Sequence, residues 1–213
     1  MKGNLIIVSS PSGGGKGTLI KEVLKVLPNI GYSISFTTRE IRGREENGRD
    51  YFFVGKAQFE ELIKKGEFLE FAEVHGNFYG TSMSFVKAEI DSGRDVVLEI
   101  DVQGADSVRK TFPEAVSIFI LPPSFEVLRK RLTARATEKK ADLNLRLKNS
   151  FREVERFEEF EYIVINNEVT KATIDLKTII LAERLKRIRQ SGSIKAILDS
   201  FNASSVEKYI AGD

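Results

Sequence analysis

The feature that most constrains this chain is a glycine-rich loop near its start. The loop reads S-P-S-G-G-G-K-G-T from Ser10 to Thr18, after the apolar run Leu5 to Val8 and before a helical pattern from Gly17 to Leu27. Consecutive glycines let the backbone curl with its N–H groups pointing inward, and the following helix adds the positive end of its dipole. This order of strand, loop and helix predicts a site for the phosphates of a nucleoside triphosphate.

The loop departs from the usual phosphate-binding pattern at two positions. Ser10 stands where the first glycine is usual, and Gly17 stands where a serine or threonine is usual, with Thr18 one position later. Lys16 keeps its usual position and is predicted to reach the terminal phosphates. The predicted triphosphate-binding residues are Ser10, Pro11, Ser12, Gly13, Gly14, Gly15, Lys16, Gly17 and Thr18.

Composition narrows the class of protein further. Of 213 residues, 41% are apolar, which is enough for one domain with a substantial core. The 33 basic and 31 acidic residues are well mixed, so no nucleic-acid or membrane surface is expected. Without cysteine and with a single histidine, His75, any metal must be held by oxygen. No apolar stretch approaches the ~20 residues of a membrane span, and we expect a cytoplasmic location.

The rest of the chain predicts an α/β fold. Apolar runs at Val96 to Leu98, Val116 to Leu121 and Ile163 to Ile165 alternate with helical patterns. Those helices are predicted at Gln103 to Phe112, Phe125 to Leu132, Leu143 to Phe157 and Thr170 to Ile188. Because the strands are continuously apolar, both of their faces are expected to be buried, as in a doubly wound parallel sheet.

A segment with a different pattern interrupts this core. Short strands at Ser33 to Thr38, Tyr51 to Val54 and Phe68 to Val74, with one helix from Ala57 to Lys65, predict an inserted α+β lobe. The domain at residues 1–190 is therefore divided into a core at 1–34 and 83–190 and a lobe at about 35–82.

Two further segments complete the predicted organisation. The charged stretch from Arg135 to Asp142 predicts a short mobile lid, at about 135–147. Residues 191–213 predict a C-terminal helical extension, in which one apolar stripe recurs at helical spacing. The stripe consists of Ile194, Ile197, Leu198 and Phe201, followed by Val206, Tyr209 and Ile210. It is expected to pack either against its own core or against a second subunit, unless the segment is a frayed terminus.

Three segments in order carry a resemblance to a known family. The first is the phosphate loop, the second is S-I-S-F-T-T-R-E-I-R-G-R-E-E-N-G-R-D-Y-F-F from Ser33, and the third is E-F-L-E-F-A-E-V-H-G-N-F-Y-G-T-S from Glu67. Together they resemble the guanylate kinase family over about residues 5–190. The resemblance implies a P-loop kinase core, a GMP-binding lobe and a short lid. Ile41 stands where the family usually has proline, and Ala136 where it usually has glycine.

The resemblance also implies roles for individual residues. Those implied to face the guanine base are Ser35, Glu70, Thr81 and Asp101. Those implied to hold the phosphate of GMP are Arg39, Arg42, Tyr51 and Tyr79. The implied catalytic residues, which would close on the triphosphate, are Lys16, Arg131, Arg135 and Arg146.

The chemistry of these residue types agrees with such roles. Two arginines with nearby tyrosine hydroxyls form a donor clamp for a phosphate dianion. A carboxylate such as Glu70 can accept both donors of the guanine edge, so a wrong base leaves it unpaired and discrimination on the order of 10⁴-fold becomes available. The buried strand V-V-L-E-I-D ends in Glu99 and Asp101 at the edge where parallel sheets bind ligands, so Glu99 is a candidate to orient magnesium waters. The metal ligands themselves are not assigned.

The implied function is phosphoryl transfer from ATP to GMP, giving ADP and GDP, in purine nucleotide metabolism and GMP recycling. ATP would be the co-substrate, with Mg²⁺ bridging its phosphates, and no nucleic-acid or membrane partner is expected. Two alternatives stay open: a kinase of the same core for another small phosphorylated acceptor, and a non-catalytic guanylate kinase-like binding module. Glu70 favours guanine, and the intact loop from Gly13 to Lys16 favours catalysis. The sequence leaves monomer and homo-oligomer undecided.

Overall fold

The centre of the molecule is a five-stranded parallel sheet. The computed structural model describes residues 2–74, 76–134 and 140–201, together with residues 207 and 210. In sheet order the strands are β2 (Ile30–Tyr32), β7 (Asp95–Glu99), β1 (Leu5–Ser9), β8 (Val116–Leu121) and β9 (Tyr162–Ile165). Ile7 in the central strand pairs with Leu98 on one side and Ser117 on the other. The phosphate loop therefore leaves β1 at the middle of the carboxyl edge of the sheet.

Helices surround this sheet. They are α1 (Lys16–Val26), α3 (Met83–Asp91), α4 (Val102–Thr111), α5 (Phe125–Ala134), α6 (Lys140–Glu155) and α7 (Val169–Leu185). Helices α1 and α7 pack on one face, while α3 and α4 pack on the other. Alternate residues of β1 point to opposite faces. Ile6 belongs to an apolar cluster with residues of α1 and α7, and Ile7 to a second cluster with residues of α3 and α4. The doubly wound parallel architecture expected from the apolar runs is confirmed.

A second, four-stranded sheet faces the carboxyl edge of the first. Its order is β4 (Phe52–Phe53), β3 (Phe36–Thr37), β6 (Asn77–Ser82) and β5 (Phe68–Val74), with helix α2 (Lys56–Lys64) packed on it. Phe59 of the helix is fully buried and lies 4.6 Å from Phe68, centroid to centroid. A Cβ at Gly80 would lie within 3.0 Å of both rings, so only glycine fits there. This sheet coincides with the segment predicted as an inserted lobe, and the domain boundaries stay a prediction.

Four details differ from the expectations. Strands β2 and β6 and helix α3 were not predicted. The stretch from Ser33 to Thr38 contains only the two-residue strand β3, because the chain leaves the core sheet at the end of β2 and joins the second sheet at Phe36. Helix α3 begins at a cap that the sequence does contain, since the Ser82 hydroxyl accepts a hydrogen bond from the Phe85 N–H at 3.3 Å.

The C-terminal extension begins with helix α8 (Ser191–Ser200), as its periodicity predicts. Its apolar stripe lies on the surface, with Ile194 37% and Phe201 73% exposed. Val206 and Tyr209 lie outside the described residues, as do His75, Arg135 and Ala136. Among the described helices, none is both long enough and apolar enough to cross a bilayer.

Candidate nucleotide-binding site

The glycine loop has the backbone shape of an anion-binding loop. Gly13 and Gly15 have φ angles of +83° and +92°, in the left-handed region that favours glycine. The Gly14 N–H donates to the Pro11 carbonyl at 2.8 Å and closes a turn. Helix α1 begins directly afterwards at Lys16, and no side chain caps its start. The N–H groups of this first helical turn can therefore bind an anion.

Two side chains support this loop from outside the cleft. The Gly14 carbonyl accepts hydrogen bonds from Asn166 Nδ2 at 2.9 Å and from Arg131 Nη1 at 3.3 Å, and Arg131 Nη2 donates to the Asn166 carbonyl at 2.8 Å. A Cβ at Gly15 would lie 2.4 Å from Asn166 Nδ2, so the supporting amide requires glycine there. Sequence reasoning missed Asn166, although its place directly after a strand of the parallel sheet is a usable signal. Arg131 contacts the loop, and its predicted role on the triphosphate stays a prediction.

Helix α6 holds the loop at a second point, Ser12. The Ser12 N–H donates to Glu153 Oε2 at 2.9 Å, and the hydroxyl of the buried Ser150 donates to the Ser12 carbonyl at 3.2 Å. Arg146 lies on the same helical face, since the spacing from 146 to 150 to 153 follows the helical period. Ser150 and Glu153 were not predicted from the sequence. Together they fix the helix that carries Arg146 to the phosphate loop.

A cleft of about 220 Å³ lies between the loop and the second sheet. Its lining residues are Ser10, Ser12, Lys16, Ser35, Tyr51, Glu70, Ala72, Val74, Tyr79, Glu99, Ile100, Asp101, Arg146 and Glu153. Residues predicted to bind triphosphate and residues predicted to bind GMP thus meet in one cavity. Of the eight residues predicted to bind GMP, three do not line it: Arg39 and Thr81, which are buried, and Arg42, which is exposed. Of the predicted triphosphate-binding residues, Pro11, Gly13, Gly14, Gly15, Gly17 and Thr18 do not line it either, nor does Arg131. Arg135 is outside the described residues.

The deep end of the cleft contains a buried carboxylate. Glu70 on β5 is only 7% exposed, and its Oε1 accepts the Thr81 hydroxyl proton at 2.6 Å from the paired strand β6. Asp101 caps helix α4 by accepting the Gly104 N–H at 2.8 Å, and a Cβ at Gly104 would lie 2.9 Å from Glu70 Oε2. Burial raises the pKa of Glu70 to about 7, against the opposing effect of the Thr81 hydrogen bond and with a contribution from the Asp101 charge. This carboxyl group is poised to change charge near neutral pH.

The two arginines predicted to bind the phosphate of GMP both contact an acidic residue of the protein, Glu45. Arg39 is 8% exposed, and its Nη2 lies 2.8 Å from Glu45 Oε1, while Glu45 Oε2 accepts the Arg42 N–H at 2.9 Å. Glu45 therefore connects Arg39 and Arg42 across the turn that contains Ile41, the position at which the resemblance puts a proline. The Arg39 guanidinium also lies 5.3 Å from the centre of the Tyr51 ring. Burial raises the pKa of Tyr51 to about 12, so its hydroxyl remains a proton donor at neutral pH.

Glu99 lies at the loop end of the cleft. It ends strand β7, its Oε2 accepts the Tyr32 hydroxyl proton at 3.0 Å, and its Oε1 lies 4.0 Å from Lys16 Nζ. Within residues 2–74, 76–134 and 140–201, no group of three histidine, cysteine or acidic side chains could hold a metal ion. A single carboxylate beside a phosphate site nevertheless suits Mg²⁺, which takes one or two carboxylates together with substrate phosphates.

A parallel sheet whose central strand runs through a glycine loop into a helix, with a second sheet facing that loop, defines a P-loop kinase fold. Residues 2–183 match the family model for guanylate kinase, so the chain belongs to the guanylate kinase family. The resemblance expected from the three sequence segments is confirmed.

Relatives and a solved structure agree with this assignment. The chain is 47% identical to the guanylate kinase of Thermotoga maritima over 195 aligned residues, which are 92% of this chain and 94% of the relative. It is 47% identical over 199 residues to that of Neisseria meningitidis, covering 93% and 97%. The crystal structure of guanylate kinase from Anaplasma phagocytophilum superimposes with a TM-score of 0.79 at 34% identity, covering 94% of this chain and 95% of that one.

Proposed function

We propose that this protein is an ATP-dependent guanylate kinase, which transfers the terminal phosphoryl group of ATP to GMP and releases ADP and GDP. The observation that carries the proposal is the single cleft that Lys16 lines from the phosphate loop and Glu70 lines from the second sheet. A donor triphosphate on the loop and an acceptor nucleotide on the second sheet would meet inside it. The family membership of the chain supports the same reaction.

In this proposal the second sheet binds GMP. The base would lie against Ser35, Glu70 and Asp101, and the ionised Glu70 would accept both N–H donors of the guanine edge. Adenine presents an acceptor at the matching ring nitrogen and would leave the carboxylate unpaired. Thr81 would act through Glu70, because its hydroxyl proton is directed to that carboxylate.

The phosphate of GMP would bind at the other end of the second sheet. Tyr51 and Tyr79 line the cleft there, and Arg39 and Arg42 would supply the positive charge. Because Glu45 is bound to Arg39, the phosphate would take over the contacts of Glu45. GMP binding would therefore exchange an internal ion pair for one with the substrate.

The loop from Ser10 to Thr18 would bind the phosphates of ATP. Lys16 and Arg146 line the cleft as cations, and Arg131 and Arg135 are proposed to act beside them. Mg²⁺, when bound with ATP, would neutralise charge on the β- and γ-phosphate oxygens. Glu99 lies next to Lys16 at the same edge of the sheet and is the carboxylate available to the metal there.

The reaction itself needs little covalent help from the protein. An oxygen of the GMP phosphate attacks the γ-phosphorus, and the bond from that phosphorus to the β–γ bridging oxygen breaks, leaving its electron pair on ADP. The attacking phosphate is already anionic near neutral pH, so no general base is required. Catalysis then consists of aligning the two substrates, excluding water and surrounding the moving charge with Lys16 and the arginines.

The reaction fits a cytoplasmic protein of purine nucleotide metabolism, which we propose as its setting. Its partners would be the small molecules ATP and GMP. The nearly neutral charge balance offers no support for a nucleic-acid partner.

A substrate panel tests the proposal directly. Purified protein is given ATP and Mg²⁺ with GMP, dGMP, AMP, CMP or UMP, while ADP release and the nucleoside diphosphate product are measured. We expect turnover with GMP and on the order of 10⁴-fold lower kcat/KM with AMP. A binding module would bind GMP without releasing ADP, and a kinase for another acceptor would prefer a different acceptor.

Lys16→Ala provides the loss-of-function variant for the same assay. We expect turnover to fall at least ~10²-fold while GMP affinity is retained, because this charge acts mainly on the developing transition state. Lys21→Ala, an exposed lysine on the same helix, is the matched control and should retain activity. Unchanged turnover in Lys16→Ala would contradict the assignment of the loop.

A further inference from the structure

The phosphate loop lacks one hydroxyl side chain that such loops usually carry. In the usual loop the residue after the lysine carries a hydroxyl that binds Mg²⁺, and this chain has Gly17 there. Thr18 does not replace it, because its side chain is exposed and does not line the cleft. The space beside Gly17 is instead occupied by Glu99: a Cβ at position 17 would lie 3.0 Å from Glu99 Oε1 and 3.3 Å from Oε2.

The Glu99 carboxylate is held in this position by Tyr32. The Tyr32 hydroxyl donates to Glu99 Oε2 at 3.0 Å, and its ring packs against the apolar cluster beneath the sheet. The other carboxylate oxygen, Oε1, lies 4.0 Å from Lys16 Nζ and next to Gly17. One oxygen is thus fixed by the protein, and the other faces the phosphate loop.

We propose that Glu99 is a direct Mg²⁺ ligand that replaces the missing loop hydroxyl, and that Tyr32 is the positioning residue that aims it. The inference rests on the proposed function, because it assigns the metal that accompanies ATP. Carboxylate oxygen is a preferred ligand for Mg²⁺. A side chain at position 17 would crowd the Glu99 carboxylate, which would have to shift by a few tenths of an ångström from its present place beside the loop. Gly17 and Glu99 therefore form a pair, in which the absent side chain leaves room for the carboxylate.

Metal binding tests this pairing separately from turnover. Mn²⁺ replaces Mg²⁺ as the probe, and its affinity for the full chain with a non-hydrolysable ATP analogue is measured by electron paramagnetic resonance. We expect Glu99→Gln to weaken Mn²⁺ binding at least ~10-fold while the metal-free analogue binds no more weakly than to the parent. Tyr32→Phe should weaken Mn²⁺ binding by a smaller factor. Glu22→Gln, an acidic residue elsewhere on helix α1, is the matched control.

The decisive comparison is a compensating pair of substitutions. Gly17→Ser alone should weaken Mn²⁺ binding because the new side chain crowds Glu99, and Glu99→Asp alone should weaken it because the shorter acid does not reach. The double variant Gly17→Ser with Glu99→Asp should return to within ~3-fold of the parent, since a hydroxyl is restored and the shorter acid leaves room for it. Far-ultraviolet circular dichroism checks that each variant folds, and Glu99→Gln tests the ligand role without any change of volume.

Two results would overturn the inference. One is unchanged Mn²⁺ affinity in Glu99→Gln, which would leave Glu99 only as an ionic partner of Lys16. The other is a double variant whose loss of Mn²⁺ affinity equals the product of the losses in the two single variants. The proposed function fails separately, if the parent chain does not phosphorylate GMP. The metal assay with the ATP analogue still reports on Glu99 in that case.

Discussion

At the scale of single residues, the environment of Glu70 changes how the site responds to pH. Burial raises its pKa from 4.5 to about 7. Between these two pH values the folded chain without ligand therefore holds a proton on Glu70 that the unfolded chain has released. The stability associated with this proton is complete below about pH 4.5 and is lost as the pH rises through 7. In the proposed GMP site guanine requires the ionised form of Glu70, so binding it at lower pH would have to displace the proton.

We therefore predict that GMP affinity depends on pH through Glu70. The measured quantity is the ratio of the GMP affinity of the parent to that of Glu70→Gln. As the pH is lowered below 7, this ratio should fall by up to about tenfold per pH unit, because only the parent must lose a proton on binding. The ratio removes the titration of the GMP phosphate itself, which affects both proteins. Calorimetric titrations with GMP from pH 5.5 to 8 measure it. A ratio that stays constant over this range would show that Glu70 does not contact the base in its ionised form.

Glu45 is the second residue whose charge bears on substrate binding. Its carboxylate occupies Arg39 and the Arg42 N–H, which are the groups proposed for the phosphate of GMP. We predict that Glu45→Gln lowers the KM for GMP by about 3- to 10-fold, because the phosphate no longer competes with an internal charge for a nearly buried arginine. Steady-state kinetics with varied GMP measure this. Glu46→Gln, which removes a neighbouring exposed acid paired with Arg49, is the control. A higher KM in Glu45→Gln would mean that Glu45 instead aligns Arg39 for the substrate.

At the scale of elements, helix α6 is fixed to the phosphate loop at Ser12. Ser150 and Glu153 hold both polar groups of the Ser12 backbone, and Arg146 lies two turns earlier on the same face. This clamp, defined by Ser12, Ser150 and Glu153, sets where the Arg146 side chain enters the cleft. Glu153 is therefore a positioning residue that acts through Arg146.

We predict that Glu153→Ala lowers kcat by about tenfold, because a small displacement of Arg146 weakens its contact with the transferred group. Glu153→Gln should restore most of the activity, since its amide oxygen can still accept the Ser12 N–H. Glu155→Ala, on an exposed part of the same helix, is the matched control.

A double-mutant cycle distinguishes positioning from a general loss of stability. In an Arg146→Ala background, Glu153→Ala should cost less than twofold in kcat, because the residue through which it acts is already absent. The measurement is kcat at saturating ATP and GMP in all four proteins. Equal losses in both backgrounds would contradict a role through Arg146.

At the scale of the whole molecule, local sequence patterns predicted the core well and long-range support poorly. Four of the five parallel strands, and the helices of the core other than α3, follow from apolar runs and helical spacing. Strand β6 was missed because Gly80 and its polar neighbours weaken the strand pattern, although Tyr79 in it lines the cleft and Thr81 in it donates to Glu70. The residues proposed to bind GMP came from the family resemblance, supported by their chemistry.

The residues that support the site were missed for a physical reason. Asn166 reaches Gly14 across 152 residues, and Glu153 reaches Ser12 across 141. Such contacts depend on how elements pack and leave no local pattern in the sequence. Glu45 and Tyr32 were missed in the same way, because their partners are determined by the folded turn and by the edge of the sheet.

The C-terminal helix α8 leads to a prediction about the whole assembly. Ile197, Leu198 and Phe201 are 57%, 63% and 73% exposed, so the stripe on this helix does not use its own core as a partner. Covering apolar surface contributes about 25 cal/mol per Å², so we expect a second copy of the chain to cover it. Light scattering should then give the parent a mass above its 24.0 kDa and the chain truncated after Gln190 the mass of a monomer. Truncation should leave kcat and both KM values within about twofold, because no residue of α8 lines the cleft.

The intact chain with Leu198→Lys is the control for loss of the helix itself and should also be monomeric, since a charge in the stripe opposes its burial. A monomeric parent at micromolar concentrations would contradict the prediction, and lost kinase activity in a folded truncated chain would show that the extension contributes to the site.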